Sequence, residues 1–220
     1  MAAMRRVLTN DEAQARERIA GLSEAADRAL AQALDCFRAH DRVLAQQVVE
    51  RDVDINQLQR KVEEGCFRAI ALQQPVASDL RDLVSDMNIA SELERIADHA
   101  AAVAKIVLHM DAAPPATFSG PIERLGQECR RMLATVMQAY RERDERRARA
   151  VAADDDGVDR LEQQIGADIL AHLAENPAQI RSCTHTLWVA HNIERIGDRV
   201  TNIAERVVFM ATGEYVDLNR

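Results

Sequence analysis

The sequence predicts an all-α protein of six long helices forming two repeated three-helix bundles. Three observations carry this. Gly 8 and Pro 5 in 220 residues, with aromatic residues at 3%, leave a chain dominated by Ala, Leu, Arg, Glu, Asp and Gln, a composition that favours helix and offers little to a sheet. The prolines, Pro75, Pro114, Pro115, Pro121 and Pro177, interrupt the chain at few places, and the stretches between them show apolar residues at helical spacing without strand-like alternation. The two halves also repeat each other: a constant offset pairs Asp41 with Asp144, Ala45 with Ala148, Val48 with Val151, Asp52 with Asp155, Leu58 with Leu161 and Val62 with Ile165. After a slip at Pro75 and Pro177 the pairing resumes with Leu80 and Ile180, Arg81 and Arg181, Ile96 and Ile196, Val107 and Val207. The slip falls in a connection, where a small insertion costs little.

The first helix is expected over 11–39, with Thr9 or Asn10 as its N-cap. The second spans 41–73 and the third 76–110. The only Pro/Gly-rich segment, DAAPPATFSGP at 111–121, reads as a linker, dividing the chain into a first repeat (1–112), a linker (113–121) and a second repeat (122–220). The fourth helix spans 122–143. The fifth spans 144–175, loosened at 154–157. The sixth spans 177–212 and ends at Gly213, a residue suited to the left-handed C′ position.

Hydrophobic residues at 47% can bury a substantial core. Lys+Arg 28 against Asp+Glu 36 gives a net charge of −8, which counts against nucleic acid as a partner because phosphate binding needs clustered cations. The arginine-rich run at 141–149 alternates with acids and reads as a solvated helix junction. Cys36, Cys66, Cys129 and Cys183 form no CxxC pair, which excludes a zinc ribbon and reads as buried thiols in a reducing cytosol. No apolar run approaches the roughly 18 residues of a membrane span, and no apolar stretch follows the N-terminal arginines, so neither membrane insertion nor a signal peptide is expected.

The closest match between the halves is Glu-Arg-Ile-x-Asp, as Glu94–Asp98 and Glu194–Asp198. Positions i and i+4 share a helix face, and both acidic pairs sit on the flank of an apolar stripe. In the sixth helix His191, Glu194, Asp198, Asn202 and Glu205 fall within a sector about 80° wide. Like charges one turn apart destabilise a helix by about 0.2–0.5 kcal/mol, and a cation relieves that cost. On the residues alone two readings stand: a solvated flank neutralised by Arg95, Arg195 and Arg199, or carboxylate ligands of a metal. No histidine follows a glutamate at the Glu-x-x-His spacing of di-iron bundles, and His191 precedes Glu194 in the reverse order. His99 reads as a surface histidine, Asp86 as a paired interior carboxyl and Trp188 as packing on a neighbouring helix. GxGxxG, P-loop, GxSxG and HExxH patterns are missing, and long helices leave few catalytic loops.

The paired Glu-Arg-Ile-x-Asp motifs, the segment Ile70–Arg81 joining helices two and three, and Asn202-Ile203-Ala204-Glu205 with Thr212-Gly213 resemble the PhoU family of bacterial phosphate-uptake regulators. The resemblance implies six helices in two similar bundles and a non-enzymatic negative regulator of the phosphate-starvation response. It implies as partners the ATPase subunit of a phosphate ABC transporter, a sensor histidine kinase and a second copy in a homodimer, with the protein cytoplasmic and peripheral to the membrane through those partners. It also implies a divalent or trivalent metal (iron, zinc or magnesium) at Glu94, Asp98, Glu194 and Asp198, with Asn202 and Glu205 extending the second motif. A metalloenzyme with a multinuclear iron carboxylate site is the alternative. Ala102 and Lys105 stand where the second repeat has Asn202 and Glu205, and Arg199 stands where the family often has His, so tighter metal binding is expected at the second repeat.

Overall fold

The computed structural model describes residues 2–218, with side chains described from residue 13. The expected six helices form, as α1 (Ala2–Ala39), α2 (Arg42–Gln73), α3 (Ser78–His109), α4 (Ala116–Glu142), α5 (Glu145–Glu175) and α6 (Ile180–Thr212), with a 3₁₀ turn at Pro177–Gln179 before α6. α1, α2 and α3 pack as one three-helix bundle and α4, α5 and α6 as another. The bundles join along α3 and α6, and again along α1 and α4.

The repeat extends to the turns. Asp41 caps α2 by accepting from Val43 N and Leu44 N, and Asp144 caps α5 by accepting from Arg147 N. Before each cap the preceding helix ends in the same wrap. Asp41 N donates to Cys36 O and Asp144 N to Ala139 O, each at 2.9 Å. The left-handed residues between, His40 (φ 51) and Arg143 (φ 53), are where glycine is usual. At the chain's other end Gly213 takes the left-handed C-cap of α6 (φ 81), as expected.

α3 and α6 run antiparallel. Arg199 Nη1 lies 3.6 Å from Glu92 Oε2, and His99 Nδ1 lies 3.2 Å from Asn192 Oδ1, so numbering rises on one helix as it falls on the other. Ile96 and Ile196 share the helical phase of these contacts and are fully buried. At a second junction Arg130 of α4 grips Asp27 of α1 through two bonds of 2.7 and 2.8 Å, with the two residues occupying the same position of the repeat. At a third, Tyr140 Oη of α4 donates to Asp86 Oδ1 of α3 at 2.7 Å, while Arg143 and Arg16 approach Asp82. Asp86 is 2% exposed, the interior paired carboxyl expected.

Several boundaries differ from expectation. α1 starts at Ala2, so Thr9 and Asn10 lie inside it; their side chains fall outside the described residues. The segment ahead of them has no Gly or Pro and is rich in helix formers, so nothing stops the helix at residue 11. The linker is shorter than 111–121, because α4 begins at Ala116 and carries Pro121 inside it. The missing backbone bond is offset by burial of Phe118 and Ile122, each worth roughly 1.5–3 kcal/mol. Phe118 also meets His172 edge-on at 5.3 Å. α5 is continuous through 154–157, since Val151, Ala152, Asp155 and Val158 are buried there. Trp188 is 54% exposed beside His185, because the buried face of α6 runs through Thr186, Val189, Ala190 and Ile193. The four cysteines are free and buried, and burial pushes the thiols of Cys36 and Cys66 up to about 12, which leaves them inert. Among the described residues no helix is long and apolar enough to cross a membrane.

The cross-bundle bond at Asp86 yields a stability test. Phe37 fills the position of α1 that Tyr140 fills in α4, so Tyr140→Phe keeps the packing and deletes only the donor. Leaving Asp86 buried without it is expected to cost about 1–3 kcal/mol in urea unfolding. An unchanged midpoint would show that the bond contributes nothing to joining the repeats.

Candidate functional site

Burial of Ile96 and Ile196 in the seam turns the acidic residues of each motif to the flank, as the helical phase requires. There Glu94 and Asp98 face the middle helix of their own repeat, α2, and Glu194 and Asp198 face α5. Each middle helix answers with carboxylates, so each repeat carries a two-helix acidic cluster.

In the first repeat the cluster is Asp52, Glu94 and Asp98. Burial, then the charges of Asp98 and Asp52, raise the Glu94 carboxyl above its ordinary range. Burial and Asp98 do the same to Asp52, and Lys105 pulls it back. Lys105 therefore serves Asp52 on the neighbouring helix.

In the second repeat the cluster is Asp155, Asp159, Glu194 and Asp198, with Glu162 close by. Burial and Asp198 push Glu194 up to about 7, against the opposing charge of Arg195. Burial pushes Asp155 up to about 6; the Thr201 hydrogen bond opposes it, and Asp159 and Asp198 add to it. Asp159 is raised by burial and by Asp198. Arg195 Nη1 holds Asp198 at 2.8 Å, and His191 Nδ1 lies 3.3 Å from Glu194 Oε2.

Asp155 is the most enclosed member, 7% exposed. Its Oδ2 accepts from Thr201 Oγ1 of α6 at 3.0 Å, and its Oδ1 is buried without a hydrogen-bond partner. That oxygen occupies space next to Gly197, where an added Cβ would stand 2.6 Å from it. Asp52 Oδ1 is likewise buried without a hydrogen bond, whereas Glu194 Oε2, which also makes none, has His191 Nδ1 at ion-pair distance. A buried carboxylate oxygen without a partner is costly, and a cation is the partner that chemistry supplies.

The structure thus joins Glu94 with Asp98, and Glu194 with Asp198, and adds Asp52, Asp155 and Asp159, which the reading of motifs passed over. The signal was present: Asp155-x-x-x-Asp159 has the same spacing as the motif, and Asp52 and Asp155 are register partners. Asn202 and Glu205 are engaged elsewhere. Asn202 Nδ2 donates across the seam to Glu92 Oε2 at 3.1 Å, and Glu205 Oε1 accepts from Leu218 N at 2.9 Å. His99 is half-buried in the seam instead of lying on the surface, and that burial lowers its pKa.

Among the described residues no group of three or more His, Cys, Asp or Glu side chains is placed to hold a metal ion. The donors fit a hard cation: they are oxygens, they carry net negative charge, and buried oxygens lack partners.

A PhoU domain model matches the chain twice, over residues 19–107 and 122–207. The chain is 39% identical over 207 residues to a phosphate-specific transport system accessory protein PhoU homolog of Caulobacter vibrioides, covering 92% of this chain and 87% of that protein. It is 30% identical over 216 residues to the protein of the same description from Clostridium acetobutylicum, covering 98% and 99%. Among solved structures, the phosphate transport system regulatory protein PhoU from Streptococcus pneumoniae superposes with a TM-score of 0.88 at 29% identity, covering 96% of this chain and 99% of that one. PhoU from Pseudomonas aeruginosa also gives 0.88 at 29% identity, covering 94% and 99%.

The raised carboxyls make stability depend on pH in a defined direction. Folded Asp155 titrates near 6 and Glu194 near 7, above their unfolded values, so the folded state holds more protons between. Their contribution is complete below the unfolded pKa and is lost as pH rises through the folded one. The metal-free protein should therefore unfold at lower urea at about pH 8 than at about pH 5. Asp155→Asn should recover roughly 1–3 kcal/mol at the higher pH and little at the lower. Equal effects of the variant at both pH values would contradict the burial of a charged Asp155.

Proposed function

This chain belongs to the PhoU family, and on that premise we propose that it is a regulatory adaptor of phosphate transport that acts without catalysis. In this reading it docks on the ATPase subunit of a phosphate ABC transporter and on a sensor histidine kinase. It holds the kinase in the state that represses the phosphate-starvation genes while phosphate is plentiful. Such control needs only different affinities for two states of the partner. The protein acts at the cytoplasmic face of the membrane through those partners, as a homodimer. The carrying observation is the match of both repeats to the PhoU domain, together with 39% identity to an accessory protein of phosphate-specific transport.

Cation binding at the acidic clusters is part of the proposal. Glu194, Asp198, Asp155 and Asp159 would hold one divalent or trivalent ion, and Glu94, Asp98 and Asp52 another. A bound ion would supply positive charge to carboxylates of the middle and third helices of each repeat. The chain's own residues supply the arrangement: Arg195 orients Asp198, and Thr201 orients Asp155. A cation bound only by the folded state stabilises it by mass action, which links metal availability to the rigidity of a docking scaffold. No observation favours the multinuclear iron enzyme.

Two experiments test these readings. Deleting the gene should release a phosphate-starvation reporter from repression in high phosphate, and the purified protein should retain the transporter ATPase in a pull-down. A reporter that stays repressed, in a strain without a second family member, would sink the adaptor role. For the metal, Glu194→Ala with Asp198→Ala should remove most bound ion at limiting metal, and Glu94→Ala with Asp98→Ala should remove less. Each loss is read as metal stoichiometry of the purified variant. A larger loss from the first-repeat pair would overturn the ranking of the two sites.

A further inference from the structure

The two acidic clusters are related by the repeat, yet four matching positions on their helices differ. Asp155 of the second repeat matches Asp52 of the first, and Asp159 matches Asn56. On the third helices Gly197 matches Ala97, Thr201 matches Ala101, and Glu205 matches Lys105.

The consequences are local and physical. Asp155 is drawn in to 7% exposure, one oxygen held by Thr201 Oγ1 at 3.0 Å and the other set against Gly197, where a methyl would stand 2.6 Å away. Asp52 has neither feature. It meets a third helix that carries methyl groups at Ala97 and Ala101, it is only half-buried, and it takes compensation from the charge of Lys105. In the second repeat Glu205 replaces that lysine and turns to Leu218 N, away from the cluster. Fixing one oxygen of the carboxylate with a hydroxyl donor leaves the other, Oδ1, buried without a hydrogen bond against Gly197, on the face of α6 that also carries Glu194 and Asp198. A second residue that orients a ligand in this way tunes affinity without touching the metal.

We propose that Thr201 and Gly197 are positioning residues that hold Asp155 ready for a cation, and that they make the second repeat the high-affinity site of an unequal pair. The first repeat, with alanines at both positions and a lysine already beside Asp52, is the weak site. This rests on the cation-binding reading above, and deepens it by assigning the difference between the sites to particular side chains outside the Glu-x-x-x-Asp motif. Thr201 touches no metal; it acts through Asp155.

The test uses the full chain, stripped of metal and titrated with Mn²⁺, following free ion by its electron paramagnetic resonance signal. The parent protein should show a tight class and a weak class of sites. Thr201→Val, nearly the same shape without the hydroxyl, should weaken the tight class about 10- to 100-fold and leave the weak class unchanged. Thr201→Ser should restore the tight class, which a loss of packing alone would not allow. Gly197→Ala, which crowds Asp155 while keeping the hydroxyl, should weaken the same class, and it provides an independent reading should the valine variant fold poorly. Undiminished tight binding in both Thr201→Val and Gly197→Ala would overturn the positioning role and leave the metal reading standing. A parent protein with no tight Mn²⁺ class would overturn both.

Discussion

The antiparallel packing of α3 against α6 is the constraint from which the site follows. Buried Ile96 and Ile196 lie in the helical phase of the polar contacts that join the two helices. A helix has only so many faces. With the seam taking one, the acidic residues of Glu-Arg-Ile-x-Asp, each two positions from the isoleucine, lie about 160° around the helix from it, on the side of the middle helix of the same repeat. The polar pairs Glu92–Arg199 and His99–Asn192 lock the register of the seam, and each is the repeat image of the other. A slip of one residue along the seam would leave those polar groups buried without partners, an outcome costlier than any apolar mismatch.

From that geometry comes a pair of anionic clusters, each shared by two helices. Their carboxylates are partly desolvated and pushed toward the neutral form by burial and by one another. In folding terms this is stability withheld: the cluster would be more stable replaced by apolar residues. On the proposed cation-binding reading, the scaffold gains rigidity when a cation is bound. Linkage then runs both ways, since whatever partner prefers the rigid scaffold also raises its affinity for the ion. Each repeat carries one such cluster, and the repeats differ in Asn56 against Asp159, Ala97 against Gly197, Ala101 against Thr201 and Lys105 against Glu205.

Much of this was legible in the sequence. Six helices, the two repeats and the flank position of both acidic pairs follow from helical periodicity, and Asp41, Asp144 and Gly213 mark helix ends by their chemistry. What escaped depends on tertiary neighbours. Asn202 and Glu205 share a helix face with Glu194 and Asp198, yet one is drawn to Glu92 across the seam and the other to the backbone of Leu218. A helical wheel shows a shared face but not who waits opposite it. Asp155 was visible as a register partner of Asp52, but its burial depends on Gly197 in another helix. His40 and Arg143 take left-handed turns without glycine because the hydrogen bonds from Asp41 and Asp144 hold the wrap. Pro121 suggested a linker, and packing of Phe118 and Ile122 overrode it.

The central claim is that the acidic cluster shared by α5 and α6 holds a cation. The most direct measurement is a crystal structure of the Mn²⁺-loaded protein with anomalous diffraction locating the ion. The account predicts the strongest peak at about 2–2.6 Å from carboxylate oxygens of Asp155, Glu194 or Asp198, with Thr201 still bonded to Asp155. Ordered crystals whose strongest anomalous peaks lie away from both acidic clusters would contradict it.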